Sequence, residues 1–383
     1  MRYVFCTRPF YGHFHVMAGL ARAAQSVGHH VAFATAANFR PVVELSGFCF
    51  LRAGLNPRDP GWSDPGRSSE DRDWGEAVVR SKVADLLAAL PELRPDVVVR
   101  EQTDLAGLLA AEACGLPAAT LGPAMFIPAS SWQRLIGDKL DRIRRDLLLS
   151  PDPAWQRTHP YLYLDPVPPW YQLPAASTIP VRHLIRPALF DGTETSPRPT
   201  WLDGLPSRPT VYVTLGTVFN RRPSLFRTIL SALGSLPVNV LCTVGPDQDS
   251  DGLGQVPANS RIESFIPQSQ LLPYCDLVVS HGGFSTVMGS LAHGLPMLII
   301  PLGSDNLVHA RRCASLGLAW TLSPQGLTED EIRTAVCRLL DEPRWRLETE
   351  RRRDDIAALP DVQLGVDLLV RLGLTRQPLQ AGA

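Results

Sequence analysis

Apolar positions along this chain fall into two patterns. Short continuous runs occur at Tyr3–Thr7, His30–Ala34, Phe48–Leu51, Asp96–Val99 and Ala118–Leu121, and buried parallel strands read that way. Between them apolar residues recur every three or four positions: after the loop Arg8–Phe14 as far as Val27, near Phe39–Leu45, around Glu76–Leu90 and near Leu105–Ala113. Gly28 stops the first of these helices. Strands alternating with helices predict a parallel, doubly wound sheet with helices on both faces. From about Pro123 to Ser207 the pattern loosens among prolines and tryptophans. It then restarts, with strands at Val211–Thr214, Val240–Val244, Leu277–Ser280 and Met297–Ile300. Helices follow at Leu225–Leu236, Phe284–His293, Asn306–Leu316, Glu329–Leu340 and Arg344–Ile356. The expected fold class is therefore α/β, with two doubly wound Rossmann-like domains at 1–187 and 209–360. A linker at 188–208, which lacks apolar periodicity, joins them. A helix at 361–375 is expected to return to the first domain, and the tail 376–383 to fray. The expected ligand site lies between the domains, at the carboxyl ends of the strands.

Length agrees with this division: 383 residues suit two domains of roughly 150–200 residues. The formal charge of −1, with no long basic run, argues against nucleic acid as a partner. Basic residues are almost all arginine, Lys82 and Lys139 being the exceptions. The seven cysteines are scattered and form no C-x-x-C pair, which reads as small buried hydrophobes in a reducing compartment. The first strand opens without a leader-like apolar segment, and no run of about 18 apolar residues occurs. A cytoplasmic protein without a membrane span is expected.

Candidate chemistry concentrates in the second domain. Strand Leu277–Ser280 runs into His281-Gly282-Gly283 and then a helix carrying Ser285 and Thr286. Glycines let backbone N–H groups approach phosphate oxygens, a helix N-terminus carries partial positive charge, and hydroxyls add donors. The turn Leu215-Gly216-Thr217 after strand Val211–Thr214 would face the same spot. Alone, a His-Gly-Gly turn is equally a tight strand-to-helix connection. The ordered set is more specific: Phe265-Ile266-Pro267-Gln268-x-x-Leu271-Leu272, His281-Gly282-Gly283, Gly294-Leu295-Pro296, Asp305-Asn306. It resembles the donor signature of inverting, two-Rossmann-domain (GT-B) glycosyltransferases, above all the bacterial antibiotic enzymes of enediyne and macrolide type that use dTDP-deoxysugars.

The resemblance implies a nucleotide-sugar donor, an apolar small-molecule acceptor, and neither a metal nor a further cofactor. It implies that Phe265 stacks on the base, that the Ile266 backbone reads the base edge, and that Gln268 belongs to the same wall. Gly216, Thr217, His281, Gly283, Ser285 and Thr286 would hold the diphosphate, and Asp305 and Asn306 the sugar hydroxyls. A core aromatic at Phe265 and plain helix surface at Asn306 stay open as the lesser alternatives. Many UDP-sugar users of the family carry a glutamate on the ribose where this chain has Gly289. A pocket without that acceptor loses its discrimination for a 2′-hydroxyl, so Gly289 favours dTDP over UDP.

In the first domain, Tyr11-Gly12-His13-Phe14-His15 follows strand one. Histidine suits general-base work because its ordinary pKa lies near neutrality. The family has its base at the Gly-His position, which implies His13, with His15 as competitor. The partner carboxylate falls in Val99-Arg100-Glu101-Gln102-Thr103-Asp104: Glu101 by alignment of the strand end, Asp104 as alternative. The mechanism implied is a single inverting displacement. Trp62, Trp74, Met125, Phe126 and Trp132 are expected near an apolar acceptor. Asp247-Gln248-Asp249-Ser250-Asp251 fits an Asp-x-Asp metal motif but reads as a solvated loop, and no G-x-G-x-x-G follows a strand. A sugar-nucleotide epimerase of the same fold, a silent accessory protein, and association into a homodimer stay open.

Overall fold

Parallel pairing organises the whole chain. The computed structural model describes residues 1–57, 59, 75–188, 190–191, 198–245 and 250–382, which divide into two compact units. Unit 1 comprises Met1–Thr193 and Leu359–Ala383, and unit 2 Glu194–Ala358.

In unit 1 the strands are β1 (Arg2–Cys6), β2 (His30–Thr35), β3 (Cys49–Arg52), β4 (Val97–Glu101), β5 (Ala118–Leu121), β6 (Leu162–Asp165) and β7 (Arg182–Leu184). Among the described residues their order in the sheet is β3-β2-β1-β4-β5-β6-β7, all parallel. Helices α1 (Tyr11–Ser26), α2 (Arg40–Leu45), α3 (Glu76–Leu93), α4 (Leu105–Ala113) and α5 (Ala129–Asp146) connect them. Unit 2 holds β8 (Thr210–Thr214), β9 (Asn239–Thr243), β10 (Ser260–Glu263), β11 (Leu277–Ser280), β12 (Met297–Ile299) and β13 (Ala319–Thr321), in the order β10-β9-β8-β11-β12-β13. Its helices are α6 (Pro223–Gly234), α7 (Gln268–Leu271), α8 (Phe284–Ala292), α9 (Asn306–Ser315), α10 (Glu329–Asp341) and α11 (Pro343–Ala357). The last helix, α12 (Val362–Thr375), belongs to unit 1. No helix among the described residues is long and apolar enough to cross a membrane.

Strand order reverses direction between β1 and β4 in the first sheet and between β8 and β11 in the second. At such switch points the loops leaving the carboxyl ends diverge and open a crevice for ligands.

Several expectations are corrected. α1 begins at Tyr11, not after Phe14. Its buried stripe of Phe14, Met17, Ala18 and Ala21 starts one turn late because a first turn supplies carbonyls to the helix and needs no apolar side chain. The stretch taken as loosened contains α5, whose Trp132, Ile136, Leu140 and Ile143 are all buried. The described part of the supposed linker packs on both sides. Phe190 lies near Phe14 and Phe48 in unit 1, while Arg198 bonds Asp203 and Tyr274 in unit 2. The tail does not fray: Leu379 is buried, its N–H donates to the Tyr161 carbonyl at 2.8 Å, and that of Ala381 to Pro180 at 2.8 Å.

Candidate functional site

β1 ends at Cys6, paired with Arg100, so Glu101 stands one residue beyond it at the end of β4. That places its carboxylate at the switch point, beside the first turn of α1. His13 Nδ1 lies 3.1 Å from Glu101 Oε1. Glu101 is fully buried, and its other oxygen accepts the Thr103 backbone N–H at 2.6 Å. The Thr103 hydroxyl donates to the same carboxylate. Burial acts to raise the Glu101 pKa, but the charge and hydrogen bond of His13, together with Thr103, outweigh it and hold the carboxyl down to about 2. Buried Arg100 secures the chain on either side, donating to the carbonyls of Gln102 at 2.9 Å and of Thr158.

With Nδ1–H donated to a fixed carboxylate, His13 presents Nε2 as proton acceptor, and any imidazolium formed is stabilised by Glu101. Asp104, the alternative, is engaged elsewhere. It caps α4 by accepting the Gly107 N–H at 2.9 Å, and it pairs with the buried Lys82 ammonium. His15, the competitor to His13, sits among Tyr11, Phe14 and Phe190. Burial lowers its pKa to about 4.

In unit 2 the loops after β8 and β11 meet at the other switch point. The His281 ring lies between Gly216 and Gly283. A Cβ on Gly216 would come within 2.6 Å of its Cε1, and one on Gly283 within 2.7 Å of its Nε2. Gly216 and Gly282 also take φ of +73° and +83°, a region costly for other residues. Each glycine thus admits the imidazole or turns the chain. His281 is 8% exposed and its Nδ1 has no hydrogen-bond partner, a costly state for a buried polar atom unless a ligand satisfies it. Burial lowers its pKa to about 4, so near neutrality the ring is uncharged, one nitrogen donating and the other accepting. α8 starts directly after, with Gly283 at its N-cap and no side-chain cap, so its first N–H groups point out of the helix toward this turn.

The remaining residues expected at the donor site divide. Phe265 is 40% exposed beside buried Ile266, so it is not a core aromatic. Ser285 and Thr217 are partly exposed. Thr286, expected to offer its hydroxyl to the diphosphate, is buried, and that hydroxyl accepts from Gln268 Nε2 at 3.0 Å; the pair braces α7 against α8. Asn306 is likewise turned inward. It is buried, and its Oδ1 accepts the Gly303 N–H at 3.2 Å, closing a loop in which Ser304 takes φ +55°. Asp305 heads α9 with its carboxylate about half exposed. Gly289 is buried, and a Cβ there would stand 3.0 Å from Leu272 Cδ1.

The acceptor residues fare least well. Trp132 is 1% exposed and stacked on Trp155 inside unit 1, where a long amphipathic helix buries its widest side chain; it is core. Met125 is buried, and Phe126 packs on His159 and Tyr163. Trp62, Trp74 and the Asp247–Asp249 segment lie outside the described residues. A cavity of about 50 Å³ does open at the carboxyl ends of the unit 1 strands, lined among others by Thr7, Ala53, Leu55, Val79 and Thr103. Thr103 is thus shared by that cavity and the Glu101 carboxylate. The sequence reading missed Thr103, although its place two residues after the carboxylate makes the local hydrogen bond legible.

Residues 227–372 match the family described as erythromycin biosynthesis protein CIII-like, C-terminal domain. Over 94% of the chain, and 95% of the relative, it is 31% identical to L-demethylnoviosyl transferase of Streptomyces niveus. It is 29% identical to 4'-demethylrebeccamycin synthase of Lentzea aerocolonigenes, covering 96% of this chain and 98% of that one. In fold it is similar to the glycosyltransferase VinC, solved in complex with dTDP. The TM-score is 0.80 at 24% identity, over 98% of this chain and 100% of that one.

Proposed function

Since this chain belongs to the GT-B glycosyltransferases of bacterial antibiotic biosynthesis, we propose that it moves a sugar from a dTDP-sugar onto an apolar small-molecule acceptor with inversion at the anomeric carbon. The observation that carries this reading is His281: a buried neutral imidazole, held between two glycines at a helix N-terminus, with one ring nitrogen lacking a partner. A diphosphate oxygen is the partner such a nitrogen wants, and the α8 N–H groups add to the same charge stabilisation without a metal.

In the reaction His13 Nε2 takes the proton of the acceptor's nucleophile. That nucleophile bonds to the anomeric carbon as the carbon–oxygen bond to the diphosphate breaks, and the electron pair leaves with dTDP. Glu101 holds the imidazole and balances its charge. Phe265 stacks on the thymine, the Ile266 backbone meets its edge, and Asp305 takes sugar hydroxyls while Asn306 shapes the loop beneath. The acceptor's reacting limb enters the unit 1 cavity beside Thr103.

Gly289 supports dTDP: no carboxylate stands there to reward a ribose 2′-hydroxyl. Competition binding of dTDP and UDP to the full chain tests this. dTDP is expected to bind at least as tightly as UDP, and a tenfold advantage for UDP would overturn the assignment.

A further inference from the structure

His309 takes no part in the roles above, yet it occupies the same corner of unit 2. It lies one helical turn after Asp305 on α9, with its side chain 1% exposed and its Nε2 3.2 Å from Asp305 Oδ2. Its ring packs against Phe284, the first residue of α8, at 5.6 Å between centroids. Asp305, by contrast, keeps its carboxylate 49% exposed. Both stand close enough to His281 to act on its charge: after burial, which lowers the His281 pKa most, Asp305 works to raise it and His309 to lower it.

A half-exposed carboxylate beside a diphosphate site repels the ligand's phosphates. Its presence is favourable only where the ligand also brings hydroxyl donors for it. An exposed aspartate has rotamer freedom to lose when it accepts them. A buried imidazole bonded to one of its oxygens removes most of that freedom in advance, as hydrogen-bonded neighbours do for catalytic and metal-bound side chains.

We propose that His309 is a positioning residue which fixes the Asp305 carboxylate for the hydroxyls of the donor's sugar, so that the site favours the sugar-bearing nucleotide over the bare nucleoside diphosphate. This rests on the donor reading above. It also bears on turnover: dTDP carries one more negative charge than the dTDP-sugar once the sugar is gone, and an oriented carboxylate helps the product leave.

Calorimetric titration of the full chain with dTDP and with dTDP-glucose, repeated with UDP and UDP-glucose, tests it. His309→Phe keeps the ring against Phe284 but loses the bond to Asp305. It is expected to weaken dTDP-glucose about tenfold, the loss of one charge-assisted hydrogen bond, while leaving dTDP within about twofold. His309→Gln, whose amide can donate to Asp305 from the same position, is expected to restore most of the difference. Should the phenylalanine variant not fold, His309→Asn, too short to reach Asp305, gives the same reading. An unchanged ratio of the two affinities in these variants overturns the proposal, whether both ligands bind as before or both bind more weakly. A wild-type chain that binds none of the four nucleotides overturns the donor reading with it; one that prefers UDP removes only the base assignment, and the ratio is then read with the uridine pair.

Discussion

Glu101 is buried and ionised at once, a combination that survives because both of its oxygens have donors: His13 on one side, the Thr103 N–H and hydroxyl on the other. Its folded pKa of about 2 against an ordinary 4.5 sets a stability window. As pH falls, the unfolded chain takes up the proton first, so the contribution is complete above about pH 4.5 and is lost as pH drops toward 2. Glu101→Gln is expected to flatten the acid limb of stability between those values, read as urea midpoints at pH 3 and pH 7. The amide leaves His13 held but its imidazolium unbalanced. Turnover should therefore fall by about 10²–10⁴ while dTDP affinity stays unchanged; normal turnover in this variant would remove Glu101 from the mechanism. At this scale the sequence reading named groups that the structure brings together, His13 with Glu101 and His281 between Gly216 and Gly283. It misled where a residue type has two uses. Thr286 and Asn306 offer groups suited to a ligand, but their hydrogen bonds go to Gln268 and to the Gly303 backbone, and partner choice of that kind depends on tertiary placement rather than on spacing.

Helices α4 and α8 follow the two strands that close each switch point, and both are short and almost wholly buried. A central helix pressed on a sheet has little surface left for polar residues, which is why both sequences are so largely apolar. α4 also shows how its N-terminus is held. Asp104 caps it through the Gly107 N–H, and the same carboxylate receives buried Lys82, which donates as well to the Thr7 carbonyl at the end of β1. Lys82 is one of only two lysines in the chain. A buried pair of this kind is costly to break and cheap to replace whole. Lys82→Met alone, leaving Asp104 charged and buried, is expected to cost about 3–5 kcal/mol in urea unfolding. Adding Asp104→Asn, which keeps the cap, should recover most of that loss; additive single losses in the double variant would refute the coupling. Elements that escaped the sequence reading have physical reasons in common. β6 is buried throughout but only four residues long in a proline-rich stretch, β7 is three residues long, and β10 is an edge strand with a half-exposed pattern, so the last two lack the continuous apolar run by which buried strands are recognised.

At the scale of the molecule, alternation of strand and helix was enough to foretell two parallel doubly wound units, because that pattern admits few topologies. The helix expected at 361–375 to return to the first domain is α12, which belongs to unit 1. The polypeptide leaves unit 1 near Thr193, completes unit 2, and returns at Leu359. α12 then lays Val366, Leu368, Leu369 and Leu372 into the same core as Phe5, Phe14, Leu20 and Leu164. Gly365 lets it approach, since a Cβ there would stand 3.0 Å from Leu20 Cδ1. The side-chain bond from His183 Nε2 to the Leu379 carbonyl, at 3.0 Å, extends the contact past the helix. Unit 1 is therefore completed by α12 and the residues that follow it, and its stability depends on them, whereas Gly216, His281 and α8 belong to unit 2. Leu369→Ala separates the two. Truncating a fully buried leucine costs about 2–5 kcal/mol, so the first unfolding transition should move to lower urea. Below that transition dTDP affinity should match that of the unaltered chain, because Gly216, His281 and α8 lie wholly in unit 2. A variant that lost dTDP binding in step with stability would show instead that the donor site needs an intact unit 1.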